Sequence, residues 1–251
     1  MLKGLGEHAE IRADDFVPGA FVLSVGGADQ SQVNVADPSN VFYEYLRRIA
    51  HLLDFFRPAG EPIRVLHLGA GALTLARYLA VKRPGSEQFA VELERELLDF
   101  VLEQLPMPSS SQLHTVIGDA RWSLPELEAQ GPFDAIVLDI FSGPEAPEHI
   151  ACQDFYREAA ALLAPEGLLL INIGDEPGLS LVHSQCAALR AVLPATILTG
   201  ESGMFSSRYP GNLILAATNL GSWPTAWTEG LLAAGPHPCR LVQGVELDEF
   251  S

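Results

Sequence analysis

Basic residues are scarce in this 251-residue chain: 15 Lys and Arg stand against 32 Asp and Glu, a formal net charge of −17. A field of that sign repels phosphate backbones and anionic lipid surfaces and attracts cations, so nucleic-acid binding and membrane-surface attachment are disfavoured. Cysteine is scarcer still. Cys152, Cys186 and Cys239 are odd in number and far apart, with no CxxC pair and no histidine at metal-ligand spacing, which predicts reduced thiols and no metal site. No apolar run approaches the ~20 residues that a membrane span needs, and the opening MLKGLGEHAE has no apolar stretch of the signal-peptide kind. These absences predict a cytoplasmic protein. What is present, 48% hydrophobic and 19% charged residues with 22 Gly and 18 Pro, is the composition of one α/β domain, or of one domain with a small appendage.

Between Gly60 and about Asn219, short apolar runs alternate with longer segments of helical period, the pattern of strands joined by crossover helices in a parallel sheet. The runs cover residues 64–68, 88–91, 114–117, 135–138 and 168–172, apolar on both faces as suits strands covered on both sides. Helical spacing recurs in Leu97, Phe100, Val101 and Leu105, and again in Phe155, Ala159, Leu162 and Leu163. Residues 196–198 and 212–217 are separated by too short a stretch for a crossover helix, so that last pair is predicted antiparallel. The expected fold class is α/β: a doubly wound, Rossmann-like, mostly parallel seven-stranded sheet with a C-terminal antiparallel hairpin. Ahead of it, residues 21–25 and 31–35 flank Gly26-Gly27-Ala28-Asp29-Gln30 and predict a small N-terminal β-hairpin appendage. A helix over residues 41–56 follows, with Ser39 or Asn40 placed to cap it.

Chemistry gathers at the strand ends. Leu66-His67-Leu68-Gly69-Ala70-Gly71 is a strand running into glycines and then a helix, where glycine lets the backbone approach a ligand and turn into the helix N-terminus. A dinucleotide fingerprint would want a third glycine where Thr74 stands. Glu92, ~20 residues beyond Gly71, ends the second strand, where a carboxylate can accept hydrogen bonds from both hydroxyls of a ribose. Gly118-Asp119-Ala120 puts an acceptor at the end of the third strand for an exocyclic adenine amine, and Asp139 ends the fourth, near the point where strand order reverses. Three acidic ends in succession would repel a pyrophosphate and suit a cationic sulfonium nucleoside. Any one of them is equally explained as a cap on the helix that follows; the set, beside a glycine-rich loop, points to an adenosine nucleoside.

Other residues read more plainly. His67, between Leu66 and Leu68, is expected to be a satisfied core histidine, and Trp122, Trp223 and Trp227 to be packing or lid residues. Asp139, Glu145, Glu148, His149 and Tyr45 are the nearest candidates to accept a proton, with Glu145, Glu148 and His149 better read as a solvated loop and helix start. Asp175-Glu176, after the fifth strand, suits a cationic amine and a solvated helix entry equally well.

These residues resemble the S-adenosylmethionine-binding motifs of class I methyltransferase-like folds. The chain more closely resembles the spermidine synthase family of polyamine aminopropyltransferases, through the N-terminal hairpin, Gln30 after its Gly-Gly turn, Phe42-Tyr43-Glu44-Tyr45 and Arg77 in the first crossover helix. The resemblance covers about residues 21–219. It implies a hairpin and linking helix over residues 1–59 and a nucleoside-binding domain over 60–251. It further implies S-adenosylmethionine or its decarboxylated form as co-substrate, held by Gln30, Gly69, Ala70, Gly71, Glu92, Leu93, Asp119, Ala120 and Asp139, without a metal. A small cationic amine such as putrescine is expected to meet Tyr43, Tyr45 and Asp175, with Asp139 and Ser142 at the catalytic position, in a homodimer. Two departures matter. Ala72 stands where the family's first loop carries an aspartate for the aminopropyl amine, and Ser142 stands where the second, catalytic aspartate of Asp-x-x-Asp-Pro belongs. A serine hydroxyl cannot serve unaided as the base that an incoming ammonium requires. Methyl transfer from intact S-adenosylmethionine is therefore an alternative, since Ala72 removes a like-charge clash with the donor's carboxylate; a catalytically silent nucleoside-binding homologue is another.

Overall fold

The five apolar runs all become strands, and their order in space is what brings the acidic strand ends together. The computed structural model of the chain describes Leu2 and residues 6–140, 147–193 and 195–250. Three short strands come first, β1 (Ala9–Ala13), β2 (Ala20–Val25) and β3 (Ala28–Asn34), followed by helix α1 (Glu44–Phe56). The main sheet then alternates with helices: β4 (Arg64–Leu68), α2 (Thr74–Lys82), β5 (Glu87–Glu92), α3 (Arg95–Gln104), β6 (Gln112–Ile117), α4 (Leu124–Leu127), β7 (Phe133–Leu138), α5 (Gln153–Ala161), β8 (Leu163–Asp175) and α6 (Ser180–Arg190). The chain closes with β9 (Ala195–Glu201), β10 (Gly211–Thr218), α7 (Thr225–Ala234), β11 (Cys239–Gln243) and a final 3-10 turn (Gly244–Phe250).

The main sheet runs β11-β9-β10-β8-β7-β4-β5-β6. Its strands from β4 to β8 pair parallel, and β10 lies antiparallel to both β8 and β9. Apart from the edge strand β6, the strands of the parallel part are buried on both faces. Leu66, Leu68, Val91, Leu138 and Ile171 pack with Phe155 of α5 and Val182 of α6, whereas Val65, Val137, Leu168 and Leu170 pack with Leu53 of α1, Leu79 of α2 and Leu231 of α7. Two-sided cover of this kind is why the strands read as continuous apolar runs.

The sheet has eight strands where seven were expected, because β11 adds to the β9 edge from Cys239↔Glu201 to Gln243↔Ile197. The N-terminal appendage likewise gains a third strand, β1, along β2. Both are edge strands with at most one fully buried residue each, so neither carries the apolar signature of a buried strand. The hairpin turn is also tighter than expected. Gly26 and Gly27, at φ +60° and +83°, make a two-residue connection between the paired residues Val25 and Ala28, the geometry that positive φ at both positions permits. Helix α1 starts at Glu44 with Tyr43 at its N-cap and no side-chain cap; Ser39, proposed as that cap, instead donates to Asp37 in the preceding turn.

Two buried arginines fasten the helices. Arg83, just past α2, donates to five carbonyls: Leu53, Asp54 and Arg57 at the end of α1, and Pro58 and Glu61 beyond it. These include carbonyls that a helix C-terminus leaves without partners. Arg77 of α2 donates to the Ala72, Leu105 and Pro106 carbonyls, and burial lowers its pKa to about 10. Replacing Arg83 by methionine strands five carbonyls. It is expected to lower the unfolding free energy by about 3 kcal/mol or more, read as a lower urea midpoint at unchanged m-value; a loss under about 1 kcal/mol would show that water takes over those carbonyls.

Candidate active site

The tips of β6, β5, β4 and β7 are stitched by main-chain hydrogen bonds that run past the sheet proper. Gly118 N–H donates to Glu92 O at 3.0 Å, Gly69 N–H to Val91 O at 3.0 Å, and Asp139 N–H to Leu68 O at 2.9 Å. Gly69 sits at φ +95°, and a Cβ on it would lie 2.2 Å from the Asp139 carbonyl oxygen. The glycine is required by this close approach as well as by its dihedral. Beyond it, Leu73 N–H donates to Ala70 O at 2.8 Å and the chain enters α2. Thr74, where a dinucleotide fingerprint would have glycine, donates through Oγ1 to Gln32 O of β3 at 3.1 Å, tying α2 to the N-terminal sheet.

Under these tips lies a cavity of about 620 Å³. It brings together Gln30 of β3, Tyr45 of α1, Gly69, Ala70, Gly71, Glu92, Leu93, Asp119, Ala120 and Asp139. Glu92 bridges two loops, its Oε2 accepting from Ala70 N–H at 3.1 Å and its Oε1 from Glu94 N–H at 3.0 Å. Asp119 accepts from the N–H groups of Arg121 and Trp122 and from His149 Nε2 at 2.8 Å. Burial works against its charge, but the His149 ring and the two main-chain donors outweigh it and hold the carboxyl below its usual range. Asp139 has the opposite balance. Burial raises its pKa above the ordinary carboxylate value, only partly offset by hydrogen bonds from Asn172 and the Tyr45 hydroxyl. Asn172 Nδ2 stands 2.9 Å from Asp139 Oδ1.

Not every expected residue joins this group. Tyr43 is half-buried beside Tyr45 and Phe42, with ring centroids 6.1 and 5.5 Å away, and is not among the residues lining the cavity. Asp175 is also absent from the lining. It is a local cap, its two carboxylate oxygens accepting from the N–H groups of Glu176 and Val182. Its position just before α6 explains this, since the free N–H groups of a helix start attract a neighbouring carboxylate. Ser142 and Glu145 lie outside the described residues. Ala72 lines the cavity and is buried in a cluster with Leu2, Val25 and Leu97.

Three further residues enter, two that sequence reasoning passed over and one, His149, that it named and set aside. Asn172 interrupts the apolar run of β8, and a lone amide in a buried strand was the available signal. His149, read as a solvated loop residue, pairs with Asp119. Glu7 lines the cavity from the N-terminal segment, with its carboxylate so near Gly26 that a Cβ there would lie 2.9 Å from it; nothing in its local sequence marks it. His67 is buried, with Nε2 2.9 Å from Gln88 Oε1, and burial lowers its pKa to about 4, which keeps it neutral. Among the described residues, no group of three or more His, Cys, Asp or Glu is placed to hold a metal ion, and no helix is long and apolar enough to cross a membrane.

No protein-family model matches the chain. The polyamine aminopropyltransferase of Vibrio vulnificus is 31% identical over 140 residues, 54% of this chain and 46% of that enzyme. The chain spans about half the length of the first curated relatives that it matches. A probable spermidine synthase from Corynebacterium glutamicum superposes with a TM-score of 0.85 at 27% identity, over 98% of this chain and 90% of that one. Human methyltransferase-like protein 13, solved in complex with SAH, shares the fold with a TM-score of 0.62 at 22% identity, over 77% of this chain and 90% of that one. The acidic strand tips, the glycine-rich turn and these likenesses converge: the chain is similar to polyamine aminopropyltransferases and spermidine synthases, on a fold shared with methyltransferases.

Proposed function

We propose that the chain is a transferase that binds S-adenosylmethionine or its decarboxylated form and moves an aminopropyl, or related alkyl, group from sulfur to a small cationic amine such as putrescine. The observation that carries this reading is Asp139, a carboxyl with a raised pKa held between Tyr45 and Asn172 at the cavity wall. The cavity fits the donor. Its volume is in the range of small-molecule sites, Glu92 offers its carboxylate for the ribose hydroxyls, and Asp119 with Ala120 borders the place for the base. Leu93, 62% exposed at the cavity wall, supplies an apolar surface for the base to cover.

The donor supplies a carbon made electrophilic by the adjacent sulfonium, and its displacement leaves a neutral thioether. The remaining work falls to this chain. A primary alkylamine has a pKa near ~10 and arrives protonated, so a proton must leave its nitrogen before the new C–N bond forms. Asp139 takes that proton on its carboxylate, and its raised pKa narrows the gap in proton affinity. Tyr45 and Asn172 fix the carboxyl in place. The buried negative charge meanwhile draws the cationic amine to the reacting carbon.

Ala72 favours a second reading. Its methyl lies in an apolar cluster and brings no carboxylate of its own, which relaxes the repulsion that an acidic side chain there would set against the carboxylate of intact S-adenosylmethionine, and so suits methyl transfer. Calorimetric titration with intact and decarboxylated S-adenosylmethionine, each with and without putrescine, separates the two. The aminopropyl reading expects at least tenfold tighter binding of the decarboxylated form, strengthened by putrescine. Preference for the intact form, indifferent to putrescine, would support methyl transfer.

Asp139→Asn is expected to lower turnover by roughly 10²–10⁴-fold; unchanged turnover would remove Asp139 from the chemistry, and an inactive wild type across donors and amines would make the chain a silent binding protein. The same substitution has a stability signature. A carboxyl whose pKa is higher folded than unfolded contributes most below its unfolded value, and that contribution is lost as pH rises through the folded pKa. Wild type and Asp139→Asn should thus be similarly stable below the ordinary carboxylate pKa of 3.8, with the variant gaining on wild type as pH rises to 7. Thermal melts across that range check the sign, and a wild type that gains on the variant would refute it.

A further inference from the structure

Of the three strand-end carboxylates, Asp119 carries the most hydrogen bonds. Its Oδ1 accepts from Arg121 N–H at 2.9 Å and Trp122 N–H at 3.2 Å, and its Oδ2 accepts from His149 Nε2 at 2.8 Å. A carboxylate offers about four acceptor directions. Among the described residues three are occupied, which leaves one, on the Oδ2 of a residue that lines the cavity together with His149. The imidazole is itself held. Trp122, 69% exposed, stacks on it with centroids 6.1 Å apart and planes 12° from parallel. Arg121 lies over the Trp122 ring at 5.6 Å, donates to the His149 carbonyl at 3.0 Å and is anchored on Glu158 at 2.6 Å.

A carboxylate oxygen with one free direction distinguishes ligands by the sign of the partner. An exocyclic amine presents an N–H to it, whereas an oxo group at the same place sets two acceptors against each other with no hydrogen between them. We propose that His149 is a positioning residue that sets the base specificity of the site: its N–H pins Asp119 Oδ2 so that the remaining direction accepts an amine N–H and rejects an oxo base. The proposal rests on the nucleoside reading above and extends it to the residue that enforces the choice of base. Charge on the rim supports it, since Asp119 is held ionised by the same donors.

The test titrates the full chain with 5′-methylthioadenosine and 5′-methylthioinosine, which carry an amine and an oxo group at the same base position. Neither has the charged tail of the donor, so the result does not depend on which group is transferred. Wild type is expected to prefer the adenosine form by about 100-fold or more. His149→Phe keeps a ring for Trp122 but removes the N–H, and should lose at least about tenfold of that preference. His149→Gln, whose amide can still donate to Asp119, should keep most of it. Preference undiminished in His149→Phe, or both ligands weakened equally with their ratio unchanged, would overturn the inference while leaving nucleoside binding intact. Wild type that binds neither compound would overturn the functional reading and the inference with it.

Discussion

The contact on which the site depends is the approach of two backbones, Gly69 against the carbonyl of Asp139, so close that a methyl group has no room between them. It sets the glycine-rich turn and the Asp139 backbone at a distance that no rotamer change alters, because both sides are main chain. The neighbouring tips are bonded in the same way. With the order β6-β5-β4-β7 and strands ~4.8 Å apart, Asp119, Glu92, the turn and Asp139 stand in one row. Three carboxylates in a row repel one another. Main-chain N–H groups donate to Glu92 and Asp119, while Asp139, buried, holds its proton more tightly than an ordinary carboxyl. One row thus contains carboxylates in two different settings, distinguished by surroundings and not by residue type.

The acidic balance of the chain acquires a structural meaning from its arginines. Arg48, Arg77 and Arg83 are buried and donate mainly to carbonyls at helix ends and loop turns. Cations spent on the interior are not available to the surface. What faces solvent is the more negative for it, and a field of that sign favours the encounter with an ammonium.

The parallel sheet and its antiparallel closure were legible because a strand covered on both faces must be apolar at every position, a pattern that few other structures imitate. The edge strands β1 and β11 were not, since Ala9–Ala13 and Cys239–Gln243 bury at most one residue each completely. The row of carboxylates was legible for the same geometric reason that makes it a site: residues at the ends of consecutive parallel strands must come together. The residues that modulate it were harder to see. Asn172, His149 and Glu7 reach their partners across 33, 30 and 19 positions of sequence respectively, and no local pattern encodes such pairings. Asp175 was ambiguous in the sequence because a carboxylate beside a helix start suits a ligand and a main-chain amide equally; in the structure it accepts from main-chain amides.

Helix α1 joins two of these features. Its C-terminal carbonyls are held by Arg83, its middle is tied through Arg48 to Pro236 and Cys239 of the C-terminal segment, and its first turn carries Tyr45 to Asp139. A helix of 13 residues is a stiff rod about 18 Å long, and a rod fixed at one end dictates where the other end falls. The helix therefore acts as a gauge: the depth at which the tyrosine hydroxyl meets the carboxyl is measured out from an arginine on the opposite side of the domain. A shift of the anchor by a fraction of an ångström would be delivered, undiminished, to the Asp139 carboxyl.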